Sequence, residues 1–276
     1  MSGLEDYANV FPDIAFGRGD GVLLMRLHTD GGPLVFSDRI HRDLAHAFTA
    51  INDDAENRVV ILTGTGTAFC DRLDYASFLG HDASAHDWGH RIRHYGRRMI
   101  QALLDLELPV IGVVNGPALS HSELPLLSDV VLASEDAVFQ DATHFLQGLP
   151  PGDGMHTLWT TLLGLNRGRH FLLTGQRITA REALALGVVG EVLPREALLE
   201  RAWQLGRRWA QLPRTALAAT RHTVTYEWKR LFAQQLNAGL LEEVYVASAA
   251  MGGGSPPCPP PEGVPGVVDL GAFAPL

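Results

Sequence analysis

Between residues 115 and 156 the chain gathers His121, Glu123, Asp129, Asp141, His144, Asp153 and His156 within an otherwise apolar stretch. Together these residue types suit proton transfer. An imidazole that titrates near neutrality can take a proton from water, and a neighbouring carboxylate can fix its tautomer and stabilise the resulting imidazolium. His144 and Asp153 are the candidate pair. They stand nine positions apart across a loop containing Gly148, Pro150, Pro151 and Gly152, which can return the chain on itself. Any single one of the twelve histidines is better explained as a surface or structural side chain. The pair rises above that background because both members border a Pro/Gly loop between a strand-like and a helix-like segment.

Other spacings carry less. GTGTAF at 64–69 has glycines spaced as in part of a phosphate loop but no following Lys-Ser/Thr, so it reads as a strand-to-helix turn. His81, His86, His90 and His94 approach i, i+4 spacing, yet no carboxylate or cysteine set completes a tetrahedral site, and no metal or other cofactor is expected. Cys70 and Cys258, the two cysteines, lack partners at ligand spacing, which fits a reducing compartment. Arg91, Arg93, Arg97 and Arg98 alternate with apolar positions at helical spacing and read as a solvated helix face. A net charge of −9 opposes a nucleic-acid partner.

The elements that must position these residues are legible in the hydrophobic pattern. GVLLMRLH at 21–28, RVVILT at 58–63 and VIGVVNG at 110–116 read as buried strands, the last ending in a turn at Asn115-Gly116. VVLAS at 130–134 and AVFQD at 137–141 extend the series. Amphipathic helices are expected at 38–52, with Asp38 as cap, and at 88–106. Strands alternating with helices imply an α/β fold with a largely parallel sheet. Residues 153–250 read as almost continuously helical, with a break at Pro213, and the apolar surface of 195–212 and 215–250 suggests a homo-oligomer. The Gly/Pro-rich tail at 252–276 is expected to be disordered or loosely attached, and no internal repeat is evident. With 276 residues, 46% hydrophobic, and no run near the roughly 18 apolar residues of a membrane span, the expectation is a cytoplasmic protein without a membrane partner.

Three segments resemble the signatures of the crotonase (enoyl-CoA hydratase/isomerase) superfamily. They are VVILTGTGTAFCDRLD at 59–74, PVIGVVNGPAL at 109–119 followed by SDVVLAS, and LLTGQRITAREALALGVVGEVLP at 172–194. The resemblance implies a crotonase-like ββα spiral over residues 1–195, a C-terminal helical trimerisation region at 196–251, and assembly as a homotrimer or a dimer of trimers. The sequence departs from the thioester-using members at three places. The Gly-rich turn that helps build their oxyanion hole is replaced by Leu119-Ser120-His121-Ser122, and Asp71-Arg72-Leu73 replace small residues. Glu123 matches one family acid, whereas His144 takes the place of the second.

One branch matches these departures, that of 6-oxocamphor hydrolase and related β-diketone hydrolases. It is similar at HDW (86–88), VNGP…HSELP (114–125), FQDATHF (139–145), PGDGMH (151–156) and LGLNRGRHFLLTGQ (163–176). This resemblance implies that His144 and Asp153 activate water, that His121 polarises a substrate carbonyl, and that Glu243 and Phe78 line the pocket. Phe36 stands where the branch has Trp. The implied reaction is hydrolysis of a carbon–carbon bond in a cyclic or bicyclic β-diketone, a retro-Claisen cleavage to a keto acid. Two alternatives stay open: a coenzyme A enzyme using Glu123 as base, and a noncatalytic binding module built on the same scaffold.

Overall fold

The structure, a computed structural model, describes residues 3–79, 85–251 and 267–276. Its elements in chain order begin with α1 (Leu4–Tyr7), β1 (Ile14–Gly19), β2 (Val22–Leu27), β3 (Val35–Phe36), α2 (Asp38–Asp53), β4 (Val59–Thr63), β5 (Arg72–Asp74), α3 (Tyr75–Leu79) and α4 (Ala85–Asp105). There follow β6 (Val110–Val114), α5 (Glu123–Leu126), β7 (Val130–Ser134), β8 (Val138–Phe139), α6 (Met155–Leu163), α7 (Leu165–Thr174), β9 (Ile178–Thr179), α8 (Ala180–Ala185) and β10 (Glu191–Leu193). The chain closes with α9 (Arg195–Trp209), α10 (Arg214–Met251) and β11 (Val267–Asp269).

The main sheet has the order β1-β2-β4-β6-β7-β10. Only the β1/β2 hairpin is antiparallel. Strands buried on both faces need near-continuous apolar side chains, and VVILT and VIGVV supply them, the hydroxyl of Thr63 being satisfied by donating to the Val113 carbonyl oxygen. Alternate residues serve opposite cores. Val60 and Leu62 point to the core shared with α2 and α4, while Val59 and Ile61 meet Leu198 and Ala202 of α9.

A second, smaller sheet has the order β11-β5-β3. β3 pairs parallel with β5, and single bridges link Cys70 to Ala118 and Ala118 to Phe139. Each long strand, β2, β4, β6 and β7, is thus followed by a short segment in this layer and then by helix. This is a ββα repeat in space, carried by residues too divergent to reveal it in the sequence.

Several expectations need correction. The cap of α2 is Ser37, whose hydroxyl accepts from the Ile40 amide, while Asp38 is the first helical residue. The strand expected at 137–141 stops at Phe139, releasing Gln140 and Asp141 from the ladder. GTGTAF leads from β4 toward β5 and not into a helix. Residues 153–250 are interrupted by β9 and β10, the latter closing the edge of the main sheet beside β7. The tail is also tied down where it is described. Val267–Asp269 adds an antiparallel strand to β5, whereas the rest of the expected tail, 252–266, lies outside the described residues. Among the described residues no helix is long and apolar enough to cross a membrane.

Candidate active site

Close backbone contacts bring the site's elements together. Asn115 accepts from the Gly64 amide and donates to Gly66 and Ala68, stitching the end of β6 to the loop after β4. At Gly116 a Cβ would lie 1.9 Å from the Thr67 carbonyl oxygen, so only glycine permits this crossing. The turn beyond it puts His121 at φ +49°, a left-handed conformation that costs a non-glycine residue about 1 kcal/mol. Two contacts hold the strained residue. Its Nδ1 lies 2.8 Å from Glu123 Oε1, and the Phe36 ring stacks on its imidazole at 3.5 Å between centroids and 20° between planes. Phe78 lies parallel behind Phe36 at 6.3 Å.

His144 follows the release of the chain from β8. Its Nδ1 is 2.7 Å from Asp141 Oδ1, and its Nε2 faces Asp153 Oδ2 at 3.5 Å. Asp153 Oδ2 is also 3.9 Å from His121 Nδ1, so one carboxylate stands between the two imidazoles. Asp153 is fixed in turn by the Met155 amide, which donates to Oδ1 at 3.3 Å. The loop holding Asp153 packs against α10 through two glycines. A Cβ on Gly152 would approach the Gly239 carbonyl oxygen to 2.2 Å, and the side chain one helical turn further on is Glu243.

Burial without full pairing sets the electrostatics. Burial pulls the His144 pKa down, but Asp141, Asp153 and Glu243 outweigh it and hold the ring well above 6.5. In His121 burial is likewise outweighed by Glu123 and Asp153, and the ring is raised. Burial raises Asp153, yet the two imidazoles more than offset this and leave it lowered. Glu243 is pushed up to about 8 by burial, against the opposing pull of His144. Its Oε2, with Glu123 Oε2 and Asp141 Oδ2, is buried with no protein partner among the described residues. Such groups are expensive unless a ligand or water meets them.

The structure therefore brings together His121, Glu123, His144, Asp153, Glu243, Phe36 and Phe78, the last two as the wall against His121. It separates others. Asp129 accepts from the buried Arg221 and from the Val110 amide. His156 bonds the Pro151 carbonyl oxygen through Nδ1 and faces Thr157 through Nε2. His90 and His94 stack on each other along α4, and His81 lies outside the described residues. Arg91 is half-buried, donating to the Phe78 carbonyl oxygen and pairing with Asp38, so it anchors α3.

Two residues were given no role from the sequence. Asp141, not Asp153, bonds the far nitrogen of His144; reading 137–141 as one strand hid a contact made three residues along an irregular turn. His41, on the buried face of α2 with Leu44 and Phe48, lies 6.4 Å from the His121 ring, and burial lowers its pKa to about 3. The signal for it was a histidine on an apolar helical stripe, a pattern usually structural. His121, Glu123 and Asp153, like His144, Asp153 and Glu243, place ligand-type atoms within 4.8 Å of one another and could hold a cation; no metal role is assigned to them.

Comparisons with known proteins agree with this architecture. A β-diketone hydrolase from the cyanobacterium Anabaena sp. PCC 7120, solved with bound (S)-3-oxocyclohexyl acetic acid, is 43% identical with a TM-score of 0.86, over 89% of this chain and 98% of that one. An enoyl-CoA hydratase/isomerase from Mycobacterium paratuberculosis is 26% identical with a TM-score of 0.78, over 85% and 93%. A probable enoyl-CoA hydratase of Mycobacterium bovis is 31% identical over 206 residues, 72% of this chain and 71% of its own. The enoyl-CoA hydratase/isomerase family model matches residues 17–248. With its crotonase-like fold, the chain belongs to the enoyl-CoA hydratase/isomerase family, the crotonase superfamily.

Proposed function

We propose that this enzyme hydrolyses a carbon–carbon bond of a cyclic or bicyclic β-diketone. The observation that carries the reading is His144 held between two carboxylates, with Asp141 on Nδ1 and Asp153 facing Nε2. In the neutral ring, Asp141 accepts a hydrogen bond from Nδ1–H and leaves the Nε2 lone pair for a water. The raised pKa makes that ring a strong base once it is neutral.

The water's oxygen adds to one carbonyl as its proton passes to His144. The tetrahedral intermediate then breaks the bond to the carbon between the two carbonyls, giving a carboxylic acid and an enolate. An enolate leaves only if its oxygen is stabilised. His121, whose pKa is held up by Glu123, supplies an N–H, and Glu243, protonated up to about 8, can supply an O–H. Proton return from His144 to the enolate carbon completes a keto acid, the same class of compound as that bound to the Anabaena enzyme. The stacked Phe36 and Phe78 give an apolar wall for a ring skeleton.

The second reading, thioester chemistry with Glu123 as base, is favoured by the hydratase relatives and by Glu123 itself. Its Oε1 is committed to His121, which weakens it. Incubation with a bicyclic β-diketone, a monocyclic 1,3-dione and crotonyl coenzyme A separates the two. The expected result is keto acid from a diketone with the thioester unchanged; hydration of the thioester with both diketones intact would overturn the proposal.

A homotrimer or dimer of trimers is part of the same reading. Val224, Tyr226, Leu241 and Tyr245 of α10 are exposed apolar side chains on the long C-terminal helix, a surface suited to burial against a second copy. Light scattering coupled to gel filtration should give about three or six times the 30.0 kDa chain mass. A monomer would refute this.

A further inference from the structure

We propose that residues 267–276 form a positioning strap for both site histidines, acting on His121 through the small sheet and on His144 through Gln140 and Arg177. The inference rests on the reading of these histidines as the reacting groups. Toward His121 the path is a row of paired residues. Val268 lies opposite Leu73, and Leu73 opposite Phe36, the residue whose ring stacks on His121. Val268, Leu73 and Phe36 are all buried, and the Leu270 amide donates to the Asp71 carbonyl oxygen, fixing the strap beyond the strand.

Toward His144 the links are polar. The Gln140 side chain is fully buried; its Nε2 donates to the carbonyl oxygens of Gly175 and Phe273, and its Oε1 accepts from Arg177 Nε at 3.0 Å. Arg177 also donates through Nη2 to Gly271 at 2.7 Å and Phe273 at 3.1 Å, both in the strap. The next residue after Gln140 is Asp141, the partner of His144 Nδ1. A tail strand that only covered an apolar edge would need no such buried amide, every donor and acceptor of which is used. The strap lies outside the span of 17–248 matched by the family model.

The test uses the full-length chain. Leu270→Asp puts a charge at a fully buried strap position, and Arg177→Met removes the exposed guanidinium while keeping an apolar stem. His144 faces Asp141, Asp153, Glu243 and His121, none of which either variant alters. Titration of the His144 ring by NMR requires no substrate, so it decides the strap even if diketone cleavage is disproved by the panel above.

Both variants should move that titration to lower pH, because a loosened Asp141 stabilises the imidazolium less. With a cleavable diketone they should lower kcat about 10-fold and leave KM within about two-fold. Arg177→Lys, which restores one donor to the Phe273 carbonyl oxygen, should recover part of the loss. If Leu270→Asp does not fold, Arg177→Met decides alone. Rapid amide exchange in the strap of Leu270→Asp with an unchanged His144 titration would overturn the proposal, as would a lower melting temperature with wild-type titration in Arg177→Met.

Discussion

His144→Ala is expected to lower kcat for diketone cleavage toward the upper end of the roughly 10²–10⁴-fold that a positioned acid–base group contributes. The ring takes the proton from water and later returns it to the enolate carbon, so both barriers rise when it is lost. KM should change little, because the groups proposed to hold the diketone oxygens, His121 and Glu243, and the wall of Phe36 and Phe78 are untouched. The variant leaves Asp141 and Asp153 facing each other without the cation between them, and they are buried. The folded protein should meet this by holding a proton on one carboxylate, so circular dichroism and a thermal melt must accompany the kinetics. A kcat within a few-fold of wild type in a folded variant would remove His144 from the chemistry. His121→Ala is the companion measurement: loss of one oxyanion-type donor costs about 10²–10³-fold, and removing an imidazole whose charge opposes that of His144 should move the acid limb toward higher pH.

The main architecture was legible because it depends on patterns that local physics dictates. Runs such as VVILT and VIGVV are almost wholly apolar because both faces are covered, and the amphipathic stripe of 38–53 has one buried face. The parts missed follow from long-range contacts. β10 is three residues that become a strand only because β7 offers an unpaired edge, and β11 exists only because β5 does. No periodicity can be read from three residues. A Gly/Pro-rich composition at 252–276 likewise describes the average of the segment and not its last ten residues, where Val268 and Leu270 are buried.

In the site, the residue types and the Pro/Gly return loop were enough to bring His144 and Asp153 together, at 3.5 Å. Their division of labour was not visible. The sequence interval favours neither Asp141 nor Asp153 as the Nδ1 partner; that choice depends on β8 ending at Phe139 and on the backbone turning at once. His121 illustrates the opposite case. Its place in a turn that is glycine-rich in relatives marked it as unusual, and the structure supplies the cost, a left-handed backbone at φ +49°. The strain is repaid by the bond to Glu123 and the stacked Phe36, which aim the ring into the site.

Asp141→Asn should lower kcat by about 10³-fold and also move the acid limb of the pH profile, and the direction of the shift follows from the geometry. In the wild type, burial is outweighed by Asp141 and Asp153, so His144 stays protonated above pH 6.5 and kcat/KM rises with pH as the ring becomes neutral. Removing the Asp141 charge takes away the strongest of the interactions that raise His144, so the limb should fall to lower pH. Activity nonetheless drops, because an amide can donate to Nδ1 and thereby place the ring proton on Nε2, the nitrogen that must accept from water. Stability follows the same linkage with a definite sign. A histidine whose pKa is raised on folding stabilises the native state fully below its unfolded value of about 6.5, and that contribution is lost as pH rises through the folded value. The wild type should therefore lose stability over the interval in which it gains activity, and Asp141→Asn should show both transitions at lower pH. A limb that stays in place while kcat falls would mean that a group other than His144 sets it; Asp153, which faces both imidazoles, would then be the residue to titrate.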